Sequence, residues 1–179
     1  MKKFLVLLTL FFNLLPLSFA QKGERDGHEY VDLGLPSGLR WATSNIGAKN
    51  SEELGDLFKW EWDELQQCDA ADYDEDRANW GAGWRLPTMD EFKELIQNCS
   101  IVWVSIQNVF GYKFTGPNGE SFFLPVDRSD HDDYTGFSYF GYYCCSTPED
   151  YALCLTERCY GVYQTDGLRI WRKRLVLDE

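Results

Sequence analysis

Most of the second half of the chain is a series of short apolar segments separated by turn residues. Each segment is shorter than a typical helix, and glycine, proline, asparagine and serine lie between them, so the pattern predicts short antiparallel strands. The segments span residues 101–105, 110–115, 121–125, 137–145, 151–155, 159–163 and 168–177. Between two of them, Gly116-Pro117-Asn118-Gly119 predicts a hairpin turn, since Asn-Gly tolerates the positive φ angles of tight turns. In the first half, segments 30–35 and 39–42 flank a Pro-Ser-Gly turn and predict another hairpin.

One helix is clearly predicted. Thr88 is a suitable N-cap and Glu91, three residues later, completes a capping box. Phe92, Leu95 and Ile96 follow at the spacing of one apolar helix face, and the helix should end near residues 98–99. Strands, one main helix and long polar loops together predict an α+β fold.

The first 20 residues have the pattern of a secretory signal. Lys2 and Lys3 precede an apolar run over residues 4–17, and Ser18-Phe19-Ala20 places small residues at the two positions that a signal peptidase reads. We therefore expect cleavage after Ala20, a polar tether over residues 21–27 and a single domain over 28–179. No later apolar stretch is long enough to span a bilayer.

The charge balance excludes some partners. The chain has 17 basic and 29 acidic residues, and the first 20 residues hold two lysines and no acid, so cleavage changes the net charge from −12 to −14. Such acidity argues against nucleic acid or anionic lipid as a general partner. Basic residues gather near the end of the chain. A solvated strand face is their commoner interpretation, but Arg169, Arg172 and Arg174 are also candidates for bidentate contacts to sulfated or carboxylated glycans.

All six cysteines follow the predicted signal segment, in a compartment where disulfides form. They are Cys68, Cys99, Cys144, Cys145, Cys154 and Cys159. Their pairing stays open from sequence. Cys154 and Cys159 are the best local disulfide candidates, because a four-residue turn between hairpin strands would place them opposite each other. A buried free thiol is an equally good interpretation of any single cysteine.

Two long ordered motifs resemble those of a known family. They are the segment from Tyr30 to Thr43, YVDLGLPSGLRWAT, and Gly83-Trp84-Arg85-Leu86-Pro87-Thr88. With them, the chain resembles the Fibrobacter succinogenes major paralogous domain of exported Bacteroidales proteins over about residues 29–155. The resemblance implies a fold related to the C-type-lectin-like and formylglycine-generating-enzyme folds. It also implies a secreted, periplasmic or cell-surface location in a Gram-negative bacterium, with adhesion or carbohydrate binding as its role. The family often has a tryptophan at the position where Cys144 or Cys145 stands in this chain, so this position departs from the family pattern.

An acidic segment between these two motifs has part of the pattern of a calcium loop. Asp72, Asp74 and Asp76 have the alternate spacing with which such a loop begins, which makes them candidate ligands. The pattern then fails, since Arg77 stands where the loop requires glycine and Gly83 where it requires glutamate. A solvated acidic loop is favoured, and we expect no cofactor, with calcium as the alternative.

No catalytic constellation is assembled in the sequence. After the signal segment only two histidines remain, His28 and His131. The Cys-x4-Cys spacing of Cys154 and Cys159 resembles the copper-binding thiols of formylglycine-generating enzymes, and soft thiolates suit copper(I). The other motifs of that family are absent. We therefore expect no enzymatic activity, with a copper oxidase of that type as an alternative.

These observations favour a non-enzymatic binding or adhesion domain whose partner is a glycan or a surface protein. The loops over residues 63–83 and 126–137 are the expected binding surface, because they are long and polar and carry Tyr73, Trp80 and Tyr134. The alternative is a structural subunit of a surface appendage, assembled by pairing of strand edges.

Overall fold

A computed structural model describes residues 22–59, 79–128, 138–147, 151–165 and 170–178. The predicted signal segment lies outside these ranges. Within them, strands predominate. The elements in chain order are β1 (Lys22–Arg25), β2 (His28–Asp32), β3 (Arg40–Ala42), β4 (Phe58–Lys59), β5 (Trp84–Arg85), α1 (Met89–Asn98), β6 (Ser100–Ile106), β7 (Val109–Thr115), β8 (Ser121–Pro125), β9 (Asp127–Arg128), β10 (Tyr139–Cys144), β11 (Tyr151–Thr156), β12 (Tyr160–Gln164), β13 (Ile170–Trp171) and β14 (Val176–Leu177).

The prediction of an α+β, C-type-lectin-like fold with one main helix is wrong. The described residues form a mostly β structure of antiparallel sheets, in which α1 has only 10 residues. The capping box identifies where a helix begins but carries no information on how many strands surround it. Several of those strands are two to four residues long and pair with distant parts of the chain, so they have no signal of their own in the sequence.

The C-terminal strand lies in the middle of a sheet. Five strands have the order β1-β2-β3-β14-β5, and Val176 of β14 pairs with Trp41 on one side and Arg85 on the other. Residues 22–25, expected in a polar tether, form β1 and pair with β2 through a tight turn at Asp26-Gly27.

The remaining strands form a three-stranded, a four-stranded and a two-stranded sheet. Their orders are β6-β7-β8, β12-β11-β10-β9 and β13-β4. The predicted hairpin turn connects β7 and β8, where the Gly119 N–H donates to the Gly116 carbonyl and Gly119 takes a φ of 88°. Along β7, Tyr112 and Phe114 are buried and Lys113 between them is exposed. A shift of one residue in the strand pairing would turn the buried side chains toward solvent, so this alternation fixes the register.

The helix has the capping that the sequence predicts. Thr88 Oγ1 accepts a hydrogen bond from the Glu91 backbone N–H at 3.2 Å, and Glu91 Oε2 accepts one from the Thr88 N–H at 2.7 Å. Phe92 and Leu95 are fully buried. Both belong to the larger of two hydrophobic clusters, which also contains Trp41 and lies between α1 and the sheets. No helix in the described ranges is long and apolar enough to cross a membrane.

Candidate functional site

Several residues predicted to bind a ligand lie outside the described ranges. They are Tyr73, Tyr134, Arg169 and the calcium candidates Asp72, Asp74 and Asp76. Within the described ranges, no group of three or more His, Cys, Asp or Glu side chains is arranged to hold a metal ion.

Trp80 is described, and it is a core residue. Only 6% of it is exposed. The His28 ring stacks on its ring at a centroid distance of 3.6 Å and an interplanar angle of 8°, and Trp84 meets it edge-on at 5.2 Å. A ligand therefore has no free face of Trp80 on which to stack.

The basic segment near the C-terminus is buried, so the interpretation of a solvated strand face is wrong. Arg172, Lys173 and Arg174 are 6%, 3% and 0% exposed. Arg172 forms a bidentate pair with Asp127, at 2.6 and 3.2 Å, and the Lys173 ammonium lies 3.8 Å from the centre of the Phe58 ring. These cations pack within the protein and do not form a glycan-binding surface.

Arg174 joins three segments of the chain from the inside. Its guanidinium donates to Asn45 Oδ1 at 2.9 Å, to the Ala42 carbonyl at 2.8 Å and to the Phe123 carbonyl at 3.0 Å. Burial lowers the pKa of Arg174 to about 10 and raises that of nearby Tyr143 to about 12. Sequence reasoning missed this role because a run of cations near the end of an acidic chain is typical of a surface.

The thiols are also placed differently from the prediction. Cys154 pairs with Gly161 across the β11–β12 hairpin, so Cys159 does not lie opposite it, and both are free thiols. Cys99, Cys144 and Cys145 form no disulfide with another described cysteine. Burial raises the pKa of Cys154 to about 12.

Five aromatic rings form a continuous chain that we call the aromatic strip. Tyr139, Phe110, Trp103, Tyr112 and Tyr160 make successive ring contacts at centroid distances of 4.6, 5.9, 5.0 and 5.2 Å. Tyr160 is 38% exposed, and Tyr139, Phe110 and Trp103 are partly exposed. Tyr112 is the buried link. Its hydroxyl donates to the Thr156 carbonyl at 2.8 Å.

A carboxylate lies at the Tyr139 end of the aromatic strip. Glu157 accepts hydrogen bonds from the backbone N–H groups of Ser138 and Tyr139, both at 3.2 Å. Its slight burial would raise the pKa of Glu157, but these backbone donors lower it overall, so the group stays ionised. The strip draws on β6, β7, β10 and β12, which is why no single sequence window reveals it.

A second surface feature is a polar cavity that we call the lysine groove. It is open to solvent, has a volume of about 990 Å³ and lies between the β1–β2 hairpin, the segment over residues 43–51 and the β6–β7–β8 sheet. Three lysines and two glutamates line it, Lys22, Lys49, Lys113, Glu24 and Glu29.

The charges of the lysine groove are unevenly paired. The Lys22 ammonium lies 3.8 Å from Glu120 Oε2, and Glu120 does not line the groove. The ammonium groups of Lys49 and Lys113 have no acidic side chain within 4 Å in the described part of the chain. Glu24 and Glu29 face each other across the β1–β2 pair.

Comparison with known proteins yields no relative. No family model, no curated protein and no solved structure matches this chain. The resemblance to the Fibrobacter succinogenes major paralogous domain therefore stays a prediction, and the function has to be inferred from the aromatic strip and the lysine groove.

Proposed function

We propose that this protein is a secreted, non-enzymatic binding module that recognises a glycan through the aromatic strip. The observation that carries the proposal is the continuous contact of five rings, four of them partly exposed. Partly exposed aromatic rings retain apolar surface in contact with water, and binding that removes this surface from water is favourable.

The chemistry of the strip suits a sugar. The C–H face of a pyranose ring stacks on an aromatic face, and its hydroxyl groups need polar partners beside that face. The Glu157 carboxylate, held by two backbone donors, supplies a fixed acceptor at the Tyr139 end. Because each ring is held by contact with its neighbours, little side-chain entropy is lost on binding.

Strand β12, at one edge of the four-stranded sheet, offers a matched pair of variants. Tyr160 and Tyr163 both lie on β12 and are 38% and 53% exposed, but only Tyr160 contacts the strip. Being three residues apart on a strand, they point to opposite faces. We expect Tyr160→Ala to weaken glycan binding about tenfold and Tyr163→Ala to leave it unchanged.

The test is a glycan array followed by titration of the best neutral glycan, monitored by tryptophan fluorescence and calorimetry. Equal affinity of both tyrosine variants would refute the role of the strip. A blank array, with capture of a surface protein that Tyr160→Ala abolishes, would show that the strip binds protein instead.

Export is the other part of the proposal and rests on the N-terminal sequence. Lys2, Lys3 and the apolar run to residue 17 support it. N-terminal sequencing of the protein from the cell envelope or medium should begin at Gln21. Retention of Met1 would contradict export by this signal.

One observation favours a structural subunit as a second candidate. Among the described residues, β6 pairs with β7 on one side and with no strand on the other, and its sequence SIVWVSI has no charge and no proline. Val102 on this edge is 53% exposed. Long uncharged edges of this kind pair readily with other strands.

Light scattering after size exclusion tests this candidate. A subunit that assembles through β6 should form oligomers that Val102→Lys dissolves, because a charge on an edge strand opposes pairing. Val102→Thr is the matched control, since it adds no charge and keeps a β-branched side chain. Monomers for all three proteins at high concentration would exclude this assembly.

A further inference from the structure

We propose that the lysine groove is a second binding site, which takes a carboxylated or sulfated saccharide whose acidic groups pair with Lys49 and Lys113. The site is separate from the aromatic strip. Lys113 follows Tyr112 on β7, and neighbouring residues on a strand point to opposite faces of the sheet, so the groove and the strip lie on opposite faces of the β6–β7–β8 sheet.

The groove has the size and lining of a ligand site. Its volume of about 990 Å³ lies at the upper end of the range of small-molecule pockets, so it has room for an oligomeric ligand. Thr43, Ser44, Asn50, Ser51 and Ser121 line it with hydroxyl and amide groups. Such groups exchange hydrogen bonds with saccharide hydroxyls, which an apolar lining would not do.

Two cations facing this cavity are available to a ligand. Lys22 has Glu120 nearby, whereas the ammonium groups of Lys49 and Lys113 form no ion pair with a described residue; the Glu53 carboxylate accepts from the backbone N–H of Lys49, at 2.8 Å, and not from its ammonium. They stand on different walls, Lys49 in the segment after β3 and Lys113 on β7. A ligand that carries two acidic groups can therefore contact both walls at once.

The acidity of the whole chain does not prevent this. The net charge is −12, but charges farther away than about 8 Å are screened at physiological salt, so the groups that line the groove decide the local potential. The two carboxylates in the groove, Glu24 and Glu29, face each other on the β1–β2 hairpin. We therefore expect the acidic groups of the ligand to lie toward Lys49 and Lys113, and its neutral hydroxyls toward the hairpin.

The experiment is calorimetric titration of the full chain with four probes. They are a galacturonic acid tetrasaccharide, a sulfated oligosaccharide, a neutral galactose tetrasaccharide and inorganic sulfate. Each exposed ion pair typically contributes a factor of about two to five in affinity. We expect the Lys49→Gln, Lys113→Gln double variant to bind an acidic saccharide about tenfold more weakly than the unmodified protein. Lys93→Gln on α1 is the matched control, since Lys93 is exposed and outside the groove.

The outcomes separate this site from the aromatic strip. Binding of either acidic saccharide that weakens with salt, becomes about tenfold weaker in the double lysine variant and persists in Tyr160→Ala supports the proposal. Blank titrations with both acidic saccharides overturn it, as does equal affinity for the neutral tetrasaccharide in Tyr160→Ala, where the contribution of the aromatic strip is removed. Inorganic sulfate binding as tightly as the saccharides would indicate an adventitious ion only and would also overturn it. Failure here leaves the strip untouched, because its own test uses a neutral glycan and Tyr160→Ala.

Discussion

Replacing Arg174 by methionine tests whether the basic C-terminal segment is structural. The change keeps an unbranched side chain of similar length but removes every donor of the guanidinium. Three acceptors that now lie 2.8 to 3.0 Å from that group would lose their partner, the Asn45 amide oxygen and the carbonyls of Ala42 and Phe123. All three surround a side chain that is completely buried.

The magnitude can be worked out from those three contacts. A buried acceptor left without a partner costs about 1–3 kcal/mol, so three would cost about 3–9 kcal/mol. Part of this is offset, because the variant no longer buries a charge, whose desolvation lowers the pKa of Arg174 to about 10. We therefore expect a net loss of about 3–5 kcal/mol in the free energy of unfolding, in the lower half of the range for three unpaired acceptors.

Urea unfolding followed by tryptophan fluorescence measures this loss. With a slope of about 2 kcal/mol per molar urea, the midpoint should fall by roughly 1.5–2.5 M. Arg25→Met is the control, since the Arg25 side chain is 61% exposed and its ion pair with Asp26 should contribute less than about 1 kcal/mol.

A loss of under about 1 kcal/mol in Arg174→Met would refute this reasoning, since even one orphaned acceptor should cost that much. It would mean that the three acceptors find other partners when the guanidinium is removed. A stable variant that instead lost affinity for acidic saccharides would restore the ligand-binding role that the sequence suggested for this arginine.

Two further predictions concern pH and thiol reactivity. The Arg85 guanidinium donates hydrogen bonds to the carboxylates of Glu91 and Asp178. Burial would raise the pKa of Glu91, but the hydrogen bonds that it accepts lower it overall, and the Arg85 bond lowers the pKa of Asp178. The stabilisation from these ion pairs is therefore present above about pH 4 and is lost as the pH falls through the pKa values of the folded state. Urea unfolding should therefore show that Arg85→Gln is about 1 kcal/mol less stable than the unmodified protein at pH 7 and nearly as stable at pH 3. The same difference in stability at both pH values would contradict the assignment of the stabilisation to these ion pairs. Cys159 is exposed, whereas Cys154 is partly buried with a pKa raised to about 12. Mass spectrometry after alkylation at pH 8 should find Cys159 modified many times faster, and equal rates would count against the described hairpin.

Local features of the fold were predictable from sequence. The α1 capping box and the β7–β8 turn depend on residues within a few positions of each other, and both are present as the spacing predicts. The fold class was not predictable in this way. Very short strands such as β5 and β14 exist only because they pair with distant strands: β5 pairs with β14, more than 80 residues later in the chain, and β14 also pairs with β3.

The candidate sites show the same division. The sequence suggested Trp80 as a surface contact because it lies in a long polar loop, and Arg172 and Arg174 because they belong to a cluster of cations near the end of the chain. The fold buries all three.

The sequence by itself determined the charge, the signal-like N-terminus and the local helix and turn signals. Only the tertiary structure decided which polar and aromatic residues reach the surface. The reason is that exposure depends on neighbours contributed by distant strands. The Trp103–Tyr160 part of the aromatic strip joins β6 to β12 through Tyr112, and the lysine groove brings Lys49 and Lys113 to one cavity from separate segments.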